Sequence, residues 1–438
     1  MGLLPCPLTC HTIKESQSYS HSQSNHHFQS SDSSTSTSSS SSSLSSQPSL
    51  PSVPSLTSPF PPPTTTHHHC LATLKGHSSS ISSLALAGKF LFTGSSNSET
   101  RAWTRNPFDH NNIVTIEGNG AAVKSLVVLD DKLLISAHQD HKIRVWKIDL
   151  INNSGTTDKN KRSSYECIAT LPTLNDRFMR SFSAKNYVEV RRHKKSTWVH
   201  HVDTVSALAI SRDGSLLYSA SWDRTFKLWR TSDFKCLESV NGVHDDAVNA
   251  IVVSNDGFVY TGSADKKIKV WKKQVGEKKH SLVGILEKHK SAVNALALCT
   301  DGSSSSVLFS GACDRSILVW ERDNNGNGNV TGHMALTGAL RGHTKAILCL
   351  AVVSNLVCSG SADNTVRIWR RASDEQKRSY SCMAVLEGHR RPVKCLTAVV
   401  DSDEYNSNAN SDSGTSFLVY SGSLDCDIKI WQIRVPCL

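Results

Sequence analysis

Residues 219–229 read Ser-Ala-Ser-Trp-Asp-Arg-Thr-Phe-Lys-Leu-Trp, and this stretch decides the fold. It begins with a hydroxyl residue, carries an acid four residues later at Asp223, and ends ten residues later at Trp229. The same columns recur seven times after residue 66. A constant ten-residue spacing with alternating apolar positions predicts two antiparallel strands joined by a tight turn that holds the acid. The repetition predicts an array of equivalent all-β units.

Most repeats contain the same four residue types. The seven hydroxyl and tryptophan pairs are Thr93 and Trp103, Ser136 and Trp146, Ser219 and Trp229, Thr261 and Trp271, Ser310 and Trp320, Ser359 and Trp369, and Ser421 and Trp431. The acids stand six residues before each tryptophan, and they are Asp140, Asp223, Asp265, Asp314, Asp363 and Asp425, with Asn97 in the first repeat. An upstream histidine marks six repeats, namely His77, His201, His244, His289, His343 and His389, whereas the second repeat has Asn119 there.

We predict that each histidine bridges the acid to the hydroxyl, and that the hydroxyl accepts a hydrogen bond from the indole N–H. Each buried link of this kind stabilises the fold by about 1 kcal/mol net, and by more with a charged acceptor. Asn97 and Asn119 therefore predict weaker networks in the first two repeats. A catalytic triad uses its residues once, at a cleft. Seven copies at the period of the fold predict structural roles and no catalytic residue.

The repeated columns resemble the WD-repeat family of β-propellers, and the resemblance covers residues 67–438. It implies seven four-stranded blades around a central channel. Residues 70–74 read Cys-Leu-Ala-Thr-Leu and match the outer-strand text Cys-Met-Ala-Val-Leu at 382–386. Only seven residues follow Trp431, too few for another strand. We therefore predict that residues 69–75 complete the seventh blade, which leaves the ring without a free edge.

Residues 1–66 differ in composition from the rest of the chain. Serine supplies 22 of the 50 residues between 11 and 60, and prolines follow the serine run. Such a segment buries too little apolar surface to offset its ordering entropy, so we predict a disordered Ser/Pro-rich tail over 1–66. One lysine against two acids argues against a chloroplast transit peptide. The propeller domain is predicted to span 67–438.

The remaining chemistry signals are negative. The sequence contains no run of 18 apolar residues, so it predicts no transmembrane helix. The phosphate-loop, nucleophile-elbow and His-Glu-x-x-His zinc motifs are also missing from the sequence. We expect no enzyme activity, no cofactor, no metal site and no membrane partner. The 13 cysteines are odd in number and scattered. They favour reduced thiols in the cytoplasm, the nucleus or both.

The spacing between tryptophans is 83 residues from Trp146 to Trp229, against 42 to 62 residues elsewhere. The excess lies in residues 172–200, which carry a basic cluster comprising Arg191, Arg192, Lys194 and Lys195. The topology of the family implies that this insertion lies on the top face. A long insertion on a rigid scaffold is typical of a binding site, although a solvated loop would also explain it.

The residues beside each turn acid and each upstream histidine are predicted to line the top face. They are Trp222 and Leu424 next to the acids, and Lys290, Arg390 and Arg391 next to the histidines. An exposed aromatic residue with a charged rim is typical of a protein or peptide binding site. The alternative for Trp222 is packing beneath the 172–200 insertion. We predict a monomeric propeller that binds a protein or peptide partner on this face.

The stretch 185–195 together with 219–250 is similar to the plant JINGUBANG-like WD-repeat proteins. That resemblance implies a plant regulatory role without enzyme activity, in pollen germination and tube growth. A substrate receptor of a cullin-based ubiquitin ligase is an alternative, ranked lower because residues 431–434 read Trp-Gln-Ile-Arg and lack the expected Asp. The net charge of +10 leaves a nucleic-acid-associated regulator as a further, less favoured alternative.

Overall fold

The computed structural model describes residues 53–58, 66–105, 114–116, 120–148, 165–182, 187–191, 194–274, 276–299, 306–322, 334–372, 379–401 and 414–436. The described strands form seven four-stranded antiparallel sheets and one short two-stranded hairpin. The prediction of a seven-bladed all-β propeller is confirmed. No described helix is long and apolar enough to cross a membrane.

The first three blades follow chain order from inner to outer strand. Blade one contains β2 (Ile81–Ala87), β3 (Phe90–Ser95), β4 (Thr100–Thr104) and β5 (Val114–Ile116). Blade two contains β6 (Val123–Leu129), β7 (Leu133–His138), β8 (Ile143–Lys147) and β9 (Glu166–Leu171). Helix α1 (Leu174–Ser181) and the hairpin of β10 (Tyr187–Arg191) and β11 (Lys194–Thr197) come next. Blade three contains β12 (Val205–Ile210), β13 (Leu216–Ser221), β14 (Phe226–Arg230) and β15 (Cys236–Val240).

The remaining blades repeat this order. Blade four contains β16 (Val248–Val253), β17 (Phe258–Ser263), β18 (Ile268–Lys273) and β19 (His280–Leu286). Blade five contains β20 (Val293–Cys299), β21 (Val307–Ala312), β22 (Ile317–Arg322) and β23 (Met334–Leu340). Blade six contains β24 (Ile347–Val353), β25 (Leu356–Ser361), β26 (Val366–Arg371) and β27 (Tyr380–Leu386). Blade seven contains β28 (Val393–Val400), β29 (Gly414–Ser423), β30 (Ile428–Pro436) and β1 (His67–Leu74).

The ten-residue spacing corresponds to the hairpin of the second and third strands in each blade. In blade three, Ser219 of β13 lies opposite Lys227 of β14, two residues before the tryptophan. The turn residue that follows Asp223 is Arg224, whose φ of 65° is left-handed. The equivalent residue has a positive φ in every blade. The acid side chain stabilises this turn, since Asp223 Oδ1 accepts a hydrogen bond from the Thr225 N–H at 3.0 Å.

The apolar cores lie between neighbouring blades. Phe226 of blade three packs edge-on against Trp271 of blade four, with ring centroids 5.6 Å apart. At one position the packing requires glycine, because a Cβ on Gly311 of blade five would lie 2.5 Å from Cγ2 of Ile347 in blade six. Each sheet therefore stabilises its neighbour, which suits a ring of repeats.

The ring closes through strands from both ends of the described chain. Strand β1 pairs antiparallel with β30, from His67 opposite Arg434 to Leu74 opposite Ile428. The segment predicted to complete blade seven, residues 69–75, corresponds to this strand. Its pairing gives the seventh sheet an outer strand, like that of each other blade.

The predicted disordered tail over residues 1–66 is wrong for residues 53–58. This short segment forms parallel bridges with Ala339 of blade five and Tyr380 of blade six, at Ser55 and Thr57 respectively. Val53 is buried in the propeller core. The physical reason is that two aliphatic side chains in an otherwise polar segment meet apolar grooves formed by residues far along the sequence, which offsets the ordering entropy.

Candidate functional site

Blades three to seven contain the predicted polar networks. In blade three, His201 Nδ1 lies 3.1 Å from Asp223 Oδ2, and His201 Nε2 lies 2.8 Å from Ser219 Oγ. The Trp229 indole donates to the same hydroxyl at 2.9 Å. Blades four to seven repeat these contacts at 2.8–3.0 Å. The hydroxyls of these networks are fully buried, so they stabilise the fold and are inaccessible to a substrate.

The acid also ties the upstream loop to the turn. The backbone N–H of the residue after the histidine donates to the same carboxylate oxygen, as Val202 does to Asp223 Oδ2 at 2.9 Å. In blade four, burial raises the pKa of Asp265, but hydrogen bonds from His244 and two backbone N–H groups outweigh it and lower the pKa to about 2. The carboxylates are thereby held ionised, and burial lowers the pKa of His201.

In blade one, a residue outside the predicted columns supplies the acid. His77 Nδ1 lies 3.2 Å from Glu99 Oε2, and His77 Nε2 lies 2.7 Å from Thr93 Oγ1. The Trp103 indole donates to Thr93 Oγ1 at 2.9 Å. A weaker network was predicted from Asn97, and the structure shows that Glu99, two residues later, extends far enough to take the place of the aspartate.

In blade two, the histidine comes from another element. His138 at the end of β7 places Nε2 2.8 Å from Ser136 Oγ and Nδ1 3.1 Å from the carbonyl oxygen of Ala121. The Trp146 indole donates to Ser136 Oγ at 2.8 Å. The predicted aspartate instead forms an ion pair with Arg144. Asn119, which stands where six other repeats have the histidine, lies outside the described residues. His138 supplies the imidazole from within the sheet, and Asp140 has a different partner from the other turn aspartates.

The 172–200 insertion is anchored to blade three at both ends. Helix α1 begins after Thr173, whose hydroxyl accepts a hydrogen bond from the Asp176 N–H at 3.2 Å. The Asp176 carboxylate accepts from the Cys236 N–H of β15 at 2.7 Å. At the other end, the buried Lys227 ammonium donates to the Trp198 carbonyl oxygen at 2.6 Å. The structure shows that α1 is anchored to the outer strand of blade three, and the position of the insertion on the top face stays a prediction.

The opposite side of α1 presents apolar side chains to solvent. Leu174, Phe178, Met179 and Phe182 are 79%, 63%, 67% and 72% exposed, and we name them the α1 apolar face. The rings of Phe178 and Phe182 pack edge-on, with centroids 4.7 Å apart. Sequence reasoning missed this helix, although Thr173 before Asp176 and the four-residue spacing of the apolar positions are helix signals. A contiguous exposed apolar face is characteristic of an interaction site.

A cavity of about 670 Å³ adjoins the α1 apolar face. Its walls come from the blade-two turn at residues 140–142, from strand β9, from the start of α1, and from His200 and His201. Lys142 and Arg177 are exposed at its border. Burial first, and then the nearby Arg177 charge, lower the pKa of His200, and the exposed Lys142 and Arg177 side chains make this border positively charged. The cavity and its surroundings therefore favour an acidic group in a bound partner.

The basic cluster predicted from the sequence lies in the hairpin after α1. Arg191 ends β10 and pairs in register with Lys194 of β11, where Lys195 follows. Arg192 lies outside the described residues. The strand pairing thus brings Arg191 and Lys194 together, on the same insertion as the α1 apolar face.

The other predicted binding residues lie in different blades. Trp222 in the blade-three turn is partly buried, with the Lys124 ammonium of blade two 5.6 Å from its ring centroid. Lys290 belongs to blade five, while Leu424, Arg390 and Arg391 belong to blade seven. The Leu424 N–H donates to the Pro392 carbonyl oxygen at 3.0 Å and the Arg390 N–H donates to Asp425 Oδ2 at 2.9 Å, so the structure brings the three blade-seven residues together at one turn, apart from Trp222 and Lys290 in other blades. The described residues hold no group of three or more metal-ligating side chains.

The chain is similar to several proteins with named roles. It is 26% identical to autophagy-related protein 16 of Arabidopsis thaliana, over 60% of this chain and 49% of that protein. It is 31% identical to a ribosome biogenesis protein WDR12 homolog of Oryza sativa subsp. japonica, over 44% of this chain and 45% of that protein. It is 22% identical to the human kinesin-like protein KIF21B, over 84% of this chain and 20% of that protein. The chain thus spans half or less of each of these relatives.

The family comparison follows the blades. The WD domain, G-beta repeat family matches residues 68–104, 192–230, 234–272, 280–321, 334–370 and 380–432. The matched ranges bypass blade two, where His138 replaces the loop histidine. They cover more than half of the sequence, and the seven four-stranded sheets agree with them. The chain therefore belongs to the WD domain, G-beta repeat family.

Proposed function

We propose that the chain is a non-enzymatic interaction scaffold that binds a protein partner through the α1 apolar face. The observation that carries this proposal is the contrast between the two sides of α1. Asp176 is buried and bonded to blade three, while four apolar side chains on the other side are 63–79% exposed. Exposing this area in water is unfavourable unless a partner covers it. Repeat propellers are typically interaction scaffolds, which agrees with this function.

The charges around α1 define the class of partner. Arg177 and Lys142 are exposed beside the cavity, and the hairpin sequence adds Arg191, Lys194 and Lys195. The partner that fits is a protein segment with large apolar side chains flanked by acidic residues. The apolar side chains would bury against Phe178 and Phe182, and the acids would face the basic residues.

The test replaces the exposed side chains without touching the anchors. A full-length Leu174→Ser, Phe178→Ser, Phe182→Ser variant is compared with a Leu282→Ser, Ile285→Ser control on blade four, where the side chains are 43% and 45% exposed. Proximity labelling identifies partners, and calorimetry with each purified partner measures affinity. We expect the α1 variant to lose about 30-fold or more in affinity and the control to bind as the unmodified chain does.

Two outcomes would contradict this assignment. Partners that bind both variants equally would show that α1 is not the binding site. Binding that survives the α1 variant but weakens steeply with salt would favour a nucleic-acid partner instead. An Arg390→Ala, Arg391→Ala, Lys290→Ala variant tests, in the same assays, the basic residues next to the histidines that were predicted to line the top face.

We propose in addition that the scaffold acts in a plant regulatory pathway of pollen germination and tube growth, in the cytoplasm, the nucleus or both. The support is the resemblance of residues 185–195 and 219–250 to the JINGUBANG-like proteins. Loss of the gene in pollen is expected to change germination frequency and tube length, and re-expression of the α1 serine variant is expected not to restore them. A fluorescent fusion reports the compartment.

A further inference from the structure

The segment Val53–Ser58 lies along the outer strands of blades five and six. The Leu56 N–H donates to the Ala339 carbonyl oxygen at 2.9 Å, and the Ala339 N–H donates to the Pro54 carbonyl oxygen at 2.9 Å. In blade six, the Ser58 N–H donates to the Tyr380 carbonyl oxygen and the Tyr380 N–H donates to the Leu56 carbonyl oxygen, at 2.8 Å each. The segment thus joins the edges of two blades by backbone pairing, the mode by which sheets bind extended peptides.

Side-chain contacts give this pairing a pattern. Val53 is 4% exposed, in the cluster that blades four and five share. Leu56 packs into the cluster of blades five and six. The Thr57 hydroxyl accepts a hydrogen bond from the Arg341 N–H at 2.8 Å. Pro54 takes part only through its carbonyl oxygen, so its missing N–H costs nothing. The groove therefore recognises two aliphatic residues and a hydroxyl at fixed spacing, and it accommodates a proline directly after the first aliphatic residue.

Gly338 of β23 admits the segment. A Cβ at this position would lie 2.6 Å from Leu56 Cγ and 2.8 Å from the Pro54 carbonyl oxygen. Glycine inside a strand lowers its stability unless another chain must approach closely. The close approach of the segment's backbone explains why this outer strand carries glycine here.

We propose that the groove between the outer strands of blades five and six is a binding site for linear peptides, and that residues 53–58 are its resident ligand. The partner that fits is an extended peptide with the pattern aliphatic-Pro-x-aliphatic-Thr, which displaces the resident segment. This site lies on blades five and six, whereas the α1 apolar face belongs to a helix anchored to blade three. The proposal does not depend on the function proposed for that face.

The resident segment is tethered close to its groove. Residues 59–65 connect Ser58 to Thr66, whose hydroxyl donates to the Met383 carbonyl oxygen of blade six at 2.6 Å. Short tethers give effective concentrations on the order of millimolar. With an intrinsic Kd on the order of 10 µM for the segment, an effective concentration on the order of 1 mM makes a free peptide bind about 100-fold more weakly to the intact chain than to a groove whose resident segment has been expelled.

The experiment uses full-length chains and a labelled synthetic peptide with the sequence of residues 50–60. Fluorescence anisotropy measures its binding to the unmodified protein, to a Val53→Asp, Leu56→Asp variant whose own segment cannot enter the groove, and to that variant carrying Gly338→Ala. We expect the double aspartate variant to bind the peptide about 100-fold more tightly than the unmodified chain. Gly338→Ala should remove this gain, because its Cβ blocks Leu56 and Pro54 of any occupant. The control is the same peptide with aspartate at positions 53 and 56, which should bind none of the three proteins.

A second measurement on the unmodified protein covers the case in which the aspartate variant fails to fold. Hydrogen exchange at the Leu56 and Ser58 amides is followed with and without excess unlabelled peptide. Displacement predicts faster exchange at both amides, with unchanged exchange at the blade-three amides. Equal weak binding to all three chains, or exchange that the peptide does not alter, would overturn the proposal. Peptide-sensitive dimers of the unmodified chain would show that a second copy is the occupant and would also overturn it.

Discussion

Blades three to seven and blades one and two solve the same packing problem with different residues. In the first group, a loop histidine joins the hydroxyl to a turn aspartate, as His289 joins Ser310 to Asp314. In the second group, Glu99 replaces the aspartate in blade one, and His138 of the second strand replaces the loop histidine in blade two. The contact from the tryptophan indole to the hydroxyl is present in all seven blades.

This difference shows which part of the network the fold requires. The tryptophan, the hydroxyl and an imidazole nitrogen are kept together in every blade, whereas the group on the other imidazole nitrogen varies from aspartate to glutamate to a backbone carbonyl. The indole and the hydroxyl belong to paired strands of fixed register, so the same hairpin supplies both groups in every blade. The variable contact lies at the turn, where neighbouring groups can replace one another.

Acid is expected to destabilise the two altered blades. Burial, aided by a nearby arginine, lowers the pKa of His77 and of His138 from 6.5 to about 4. Between these values the unfolded chain binds more protons than the folded chain, so the free energy of unfolding falls as the pH drops from 6.5 to 4. The loss is about 3 kcal/mol for each histidine. Urea unfolding of a His138→Gln variant should show an acid loss smaller by about that amount. Parallel pH curves for the variant and the unmodified chain would contradict this origin.

Removing a hydroxyl tests whether the invariant contact matters equally in both groups. Ser136→Ala in blade two and Ser310→Ala in blade five should each lower the free energy of unfolding by about 2–4 kcal/mol, because the indole N–H and the imidazole lose their buried partner. Ser136→Thr and Ser310→Thr are the matched controls, since Thr93 and Thr261 occupy this position in other blades. A cost confined to blade five would mean that the blade-two network is not equivalent.

The variable end of the network should respond more weakly. Glu99→Gln in blade one and Asp363→Asn in blade six each remove a charged acceptor from a histidine, and each should cost about 1–2 kcal/mol in denaturant unfolding. Asn97→Ala should cost less than about 0.5 kcal/mol, since Asn97 is exposed. A larger loss of stability for Asn97→Ala than for Glu99→Gln would mean that Asn97, and not Glu99, takes the place of the turn aspartate in blade one.

The sequence predicts the blade count because the hydroxyl and tryptophan belong to one hairpin, whose register converts a spacing into a contact. It does not predict Glu99 or His138, since both lie outside the repeated columns and act through side-chain reach. Thr173 and Asp176 carry a helix signal for α1, but its outward-facing apolar residues depend on the distant anchor at Cys236. The burial of Val53 depends on residues far along the chain.

The pairing of β1 with β30 determines when the ring can close during synthesis of the protein. Roughly 350 residues separate Leu74 from its partner Ile428, and a ribosome that adds about 5–20 residues per second needs roughly 20–70 s to bridge that distance. Throughout this interval β1 has been synthesised, but its pairing strand β30 has not. Blades one to six can assemble during translation, but the ring closes only after β30 has been made. The nascent chain therefore exposes an unpaired strand edge for up to about a minute, and chaperones that prevent aggregation would have to bind it during that time.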